Sequence, residues 1–140
     1  MSAPTAYLLD TNVLSETRRK KADPGVVAFL EATDSSALYL SVLTLGELCK
    51  GIAAKGHTDP VAAKALAVWL EGLEFGFADR ILGVGAATAR TWGDWSADRP
   101  RPVIDTLLAA TAAQHSLTLV TRNTRDIEGL PVKVHNPWVG

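Results

Sequence analysis

The chain reads as an α/β protein with a largely parallel central sheet. Three observations predict it. Short apolar runs of strand length alternate with longer segments whose apolar residues recur at helical spacing. Asp-Pro pairs at 23–24 and 59–60 mark helix starts between those runs. The 140 residues, 47% of them hydrophobic, suit one domain spanning 1–140 with a sizeable core. Such alternation favours parallel strands joined by helical crossovers.

The first strand is AYLL (6–9), closed by Asp10. TNVL turns the chain, and 14–21 is expected as a short helix ending in Arg18, Arg19, Lys20 and Lys21. Residues 25–33 carry Val26, Val27, Phe29 and Leu30 at helical spacing. ALYLSV (37–42) is the second strand. Thr44 then resembles an N-cap, with Glu47 three residues on, and the helix runs to about Ala54 before Gly56. VAAKALAVWLEGL (61–73) is amphipathic, with Trp69 and Leu73 inward. ILGV (81–84) is a strand and 86–96 a helix. RPRP (99–102) is extended, because proline disfavours helix in the residue before it. A helix over 103–115, a strand LTLVT (117–121) and a last strand KVHN (133–136) complete the chain.

Composition excludes several classes. The net charge of −1 gives no global field for nucleic acid, so any such substrate relies on local clusters. The clusters are 18–21, Arg99 with Arg101, and Arg122 with Arg125, each also readable as a solvated face. One cysteine, Cys49, rules out an intramolecular disulfide, and its apolar helical setting suggests a buried thiol. The N-terminus lacks the basic region of a signal peptide, and no run approaches the roughly 20 apolar residues of a membrane span. A soluble, reducing, cytoplasmic setting is expected. His57, His115 and His135 are isolated, no serine sits in a nucleophile elbow, and GVG (83–85) is no phosphate loop.

Four acids remain: Asp10, Glu47, Asp105 and Asp126. Each lies in or beside an apolar stretch, where a carboxylate is costly unless its charge is compensated. Each has a folding role as rival. Asp10 can cap the next helix, with Thr11 and Asn12 as further caps or as partners of metal-bound water. Glu47 can form a capping box with Thr44 or pair with Lys50. Asp105 suits the dipole of its helix, although Val103, Ile104, Leu107 and Leu108 surround it. Asp126 can brace a turn with Asn123. Taken together, with Asp10 and the 121–126 turn at strand carboxyl ends, they suggest one shared hard cation, Mg²⁺ or Mn²⁺.

The four segments together resemble the PIN-domain family, most closely the ribonuclease toxins of VapBC-type toxin–antitoxin pairs and their FitB-like branch. YLLDTNVLSE (7–16), LTLGELCKGI (43–52), PVIDTLLAATA (102–112) and LVTRNTRDIEGLPVKVHNPW (119–138) carry the resemblance in order and spacing. It departs at Ile127, where phenylalanine is common, and at ILGVG (81–85), where Pro and Asp often replace the glycines.

The resemblance implies a three-layer α/β/α PIN domain. It implies that Asp10, Glu47, Asp105 and Asp126 bind metal and serve catalysis, with Asp10 and Asp105 as direct ligands and Thr11 and Asn123 in support. Arg18, Arg19, Arg122 and Arg125 are candidate contacts to RNA phosphates. It further implies Mg²⁺-dependent RNA hydrolysis by water, a cognate antitoxin and a homodimer, for which Trp69 with Leu73, or Trp92 with Trp95, are candidate faces alongside core packing. Two other readings stand beside it. One is a non-catalytic acidic-pocket module held in an antitoxin complex on DNA. The other is a receiver-like phosphoacceptor domain, disfavoured because ALYLSVL (37–43) lacks the Asp and LTLVTRN (117–123) the Lys that it needs.

Overall fold

The structure, a computed structural model, describes residues 4–139. Five parallel strands form one sheet in the order β3-β2-β1-β4-β5, with β1 Tyr7–Leu9, β2 Leu38–Ser41, β3 Ile81–Leu82, β4 Thr118–Val120 and β5 Val134–His135. The helices are α1 Thr11–Glu16, α2 Pro24–Ala32, α3 Val42–Gly56, α4 Pro60–Gly76, α5 Ala86–Ser96 and α6 Val103–Gln114. The expected α/β class and parallel sheet are present.

Period-two alternation assigns the strand side chains to two cores. Leu9, Leu38, Leu40 and Val120 meet Val13, Leu14, Val26, Leu48 and Leu70 from α1–α4 on one face. Leu8 and Leu119 meet Leu108, Ala109 and Ala112 of α6 on the other, where Trp95 of α5 also packs. The result is three layers. Ala109, Ala110 and Ala112 are fully buried, so α6 lies close against the sheet. Trp69 and Leu73 are partly buried against the first core and Trp95 against the second, so core packing accounts for these three. Ile127, the departure from the family pattern, is buried in the second core. Gly85 starts α5 with no side-chain cap, the cost of lacking an acid there.

The chain runs outward from β1 to β2 and β3, then returns to place β4 on the other side of β1. The two halves part at β1 and β4. A crevice opens beyond strand carboxyl ends at such a switch point.

Three local expectations are corrected. The first helix occupies 11–16 rather than 14–21, because Asp10 caps it at once, and the basic run 18–21 lies in turns. The N-cap of α3 is Ser41, whose Oγ accepts from Leu43 N at 3.0 Å; Thr44 is buried within the helix, so there is no Thr44–Glu47 capping box. Cys49 is exposed, since Leu48 takes the inward position beside it.

Candidate metal centre

Asp10 is built from its position. Its N–H donates to Val120 O at 2.9 Å, carrying the β1–β4 pairing to the strand end. Oδ1 accepts from Thr11 N at 2.6 Å, which caps α1. Oδ2 accepts from Thr121 Oγ1 at 2.6 Å in a buried bond across 111 residues of chain. The folding role and the site role therefore coexist, since each carboxylate oxygen keeps a lone pair free. Asp10 is only 5% exposed. Burial raises its pKa, the bonds from Thr121 and Thr11 oppose that rise, and the charge of Glu47 adds to it.

Glu47 lies on the second turn of α3 and faces α1. Its Oε1 accepts from Thr11 Oγ1 at 2.6 Å, and that hydroxyl lies 3.3 Å from Thr44 Oγ1. Among the described residues it forms no ion pair with Lys50. Thr11 thus serves both acids, through its N–H to Asp10 and its hydroxyl to Glu47.

Asp105 sits in the first turn of α6, and Asp126 in a 3-10 turn over Thr124–Ile127. The carboxyl of Asp105 is pushed up to about 6. Burial is the largest cause, followed by the charges of Asp10 and Asp126, a hydrogen bond to Asp126 that favours the protonated form, and the charge of Glu47. Asp105 therefore feels the charges of the other three acids, although they come from separate segments.

Asp10, Thr11, Asn12, Glu47, Asp105 and Asn123 line one open pocket of about 470 Å³. Asp126 does not line it and reaches the site through Asp105. Among the described residues no three acids close into a ready-made metal cage. The set still fits a hard divalent ion. Mg²⁺ keeps several waters and takes one or two carboxylates, so an open, oxygen-only pocket suits it. The crowded carboxylates around Asp105, and the buried Asn12 Oδ1 with no hydrogen-bond partner, both call for a cation or its waters.

Of the four arginines expected to contact phosphates, Arg19 and Arg122 line the pocket. Arg18 lies over Trp69, 5.5 Å from the ring centroid, in a neighbouring cavity that also touches Thr11 and Glu47. Arg125 is exposed in the 3-10 turn and does not reach the pocket. Thr121, which shares the 121–126 turn with Asn123 and Asp126, joins Thr11 and Asn123 as a positioning residue through its bond to Asp10. Its one sequence signal is a threonine at the end of an apolar strand, which says nothing of a partner 111 residues away.

An acidic crevice of this design, at the switch point of a three-layer parallel fold, defines a class. Residues 7–130 match the model of the PIN domain, and the chain belongs to that family. Within it the chain is similar to Toxin FitB of Neisseria gonorrhoeae, with 36% identity over 138 residues covering 94% of this chain and 97% of that protein. It is 33% identical to the VapC ribonuclease Y4jK of Sinorhizobium fredii, covering 94% and 96% of the two. The crystal structure of FitAcB from Neisseria gonorrhoeae superposes with a TM-score of 0.87 at 34% identity, covering 96% of this chain and 99% of that one.

Proposed function

We propose that this chain is a Mg²⁺-dependent endoribonuclease, Mn²⁺ being an alternative ion, and the toxin of a type II toxin–antitoxin pair. The observation that carries the reading is the convergence of Asp10, Glu47 and Asp105 on one open pocket, with Asp126 coupled behind Asp105. Membership of the PIN family and likeness to a protein named as a VapC ribonuclease support it against the non-catalytic module.

Asp10 and Asp105 are the direct ligands in this reading. Thr121 and the Thr11 N–H hold the Asp10 carboxylate in one orientation. Glu47, fixed by Thr11, holds the ion or orients the attacking water, and Asp126 acts through water or a second ion. When bound, the ion supplies Lewis acidity at the phosphoryl group and lowers the pKa of a water. Asn123, whose N–H donates to Thr121 Oγ1 at 3.0 Å, is set at the rim beside them. Arg19 and Arg122 offset phosphate charge at the pocket edge. Hydrolysis by water leaves 5′-phosphate and 3′-hydroxyl ends.

A cognate antitoxin covers the acidic pocket in this reading, and the active unit is a homodimer. No helix among the described residues is long and apolar enough to cross a membrane. The direct test is cleavage of RNA by the purified protein with Mg²⁺. Asp10→Asn should abolish it, and a variant as active as the wild type would sink the metal assignment.

A further inference from the structure

The acidic pocket continues into a second cavity of about 300 Å³, and the two share Glu16, Arg19, Arg122 and Trp138. Lys21 and Asp23 also line the second cavity. Its two carboxylates are committed to local bonds. Glu16 accepts from Asp23 N at 2.8 Å and meets Arg19 at 3.4 Å. Asp23 Oδ2 accepts from Gly25, Val26 and Val139 N–H groups. Arg19, Lys21 and Arg122 outnumber these two carboxylates, and Glu16 is offset by Arg19, so this cavity has a modest positive excess beside the acidic one. The Arg122 guanidinium lies over the Trp138 indole, 5.6 Å from the ring centroid, while Trp138 packs on the core behind it. The backbone N–H of Trp138 donates to Asn136 Oδ1 at 3.0 Å, and the Val139 bond to Asp23 pins the next residue. Arg122 thus presents a planar cation within cation–π range of Trp138 at the junction of the two cavities.

We propose that the second cavity seats one nucleotide flanking the scissile phosphate. Its base stacks on the Arg122 guanidinium backed by Trp138, and its phosphate meets Arg19 and Lys21. The proposal rests on the ribonuclease reading. Single-stranded RNA is recognised by splaying bases onto aromatic rings and guanidinium planes, a mode open to every base. A cationic seat next to an acid-lined pocket also suits a strand whose scissile phosphate comes with its own metal counter-ion while its neighbour does not.

The test is a cycle between residue and base. A short single-stranded RNA carrying every dinucleotide step is cleaved with Mg²⁺, and the cut site is then scanned with abasic nucleotides on both sides. In the wild type, one flanking abasic position should lower kcat/KM about tenfold to a hundredfold. Trp138→Phe, which keeps a ring behind the arginine, should retain most of that penalty. Arg122→Lys, which keeps the charge and loses the plane, should erase it, with little further loss on the abasic RNA. Penalties unchanged in Arg122→Lys at every position would overturn the subsite. So would an Arg122→Lys variant that cleaves RNA normally and only binds the antitoxin less well. A wild type that cuts no RNA would instead overturn the ribonuclease reading and the subsite with it.

Discussion

Replacing Asp105 with Asn should stabilise the metal-free protein while abolishing cleavage. The isosteric change removes one charge that Asp10, Asp126 and Glu47 repel. A carboxyl held at about 6 against an ordinary 3.8 disfavours its ionised form in the folded state. At roughly 1.36 kcal/mol per unit, the ceiling on that penalty is about 3 kcal/mol. Asp105 is only half-buried at the edge of an open pocket, so solvent screening cuts the expected gain to about 1 kcal/mol. The sign follows from linkage. With a raised folded-state pKa, the native state binds more protons between the two values, and wild-type stability falls as pH rises from about 4 to about 6. Above that window the penalty is complete; below it the penalty is absent. Urea denaturation in EDTA should therefore find Asp105→Asn more stable at pH 7.5 and level with the wild type near pH 4. Added Mg²⁺ should reverse the order at pH 7.5, because only the wild type gains a strong ion. Equal destabilisation of the variant at both pH values, or equal Mg²⁺ stabilisation of both proteins, would refute the coupled-acid argument.

Thr121→Val should lower both stability and kcat, since it leaves the buried Asp10 Oδ2 short of its 2.6 Å donor. A cost of about 1–3 kcal/mol is expected in denaturant melts, with recovery in Thr121→Ser, which keeps the hydroxyl. Gly25→Ala should dislodge residues 137–139, because its Cβ would collide with Pro137 O and crowd a Val139 methyl. Limited proteolysis should then trim the C-terminus faster, and the melt should show a loss of about 1–3 kcal/mol.

The acids that line the pocket are legible in the chain because a carboxylate interrupts an apolar pattern. Asp10 after YLL and Asp105 inside VIDTLL stand out for that reason alone. The Asp-Pro starts of α2 and α4 were equally plain, and both aspartates do cap their helices. Boundaries failed where elements abut without a loop. β2 passes straight into α3, so Ser41 is at once the last strand residue and the cap, and the pattern placed that duty on Thr44. β1 likewise passes into α1 through Asp10 alone. The burial expected of Cys49 fails because an apolar segment does not reveal which residues face inward; its neighbour Leu48 does. Pairings between distant segments, such as Thr121 with Asp10 and Arg122 over Trp138, have no local signature.

The bond between Thr121 and Asp10 also orders events in time. The first strand leaves the ribosome well before its partner β4 and the threonine that orients its acid. A nascent chain lacking residues 118–126 has neither the β1–β4 pairing of its sheet nor the Asp126 charge. Non-local pairing of this kind forms late and slowly. The orientation of Asp10 therefore waits on a residue made 111 positions later, and a nascent chain that stops short of Thr121 lacks it.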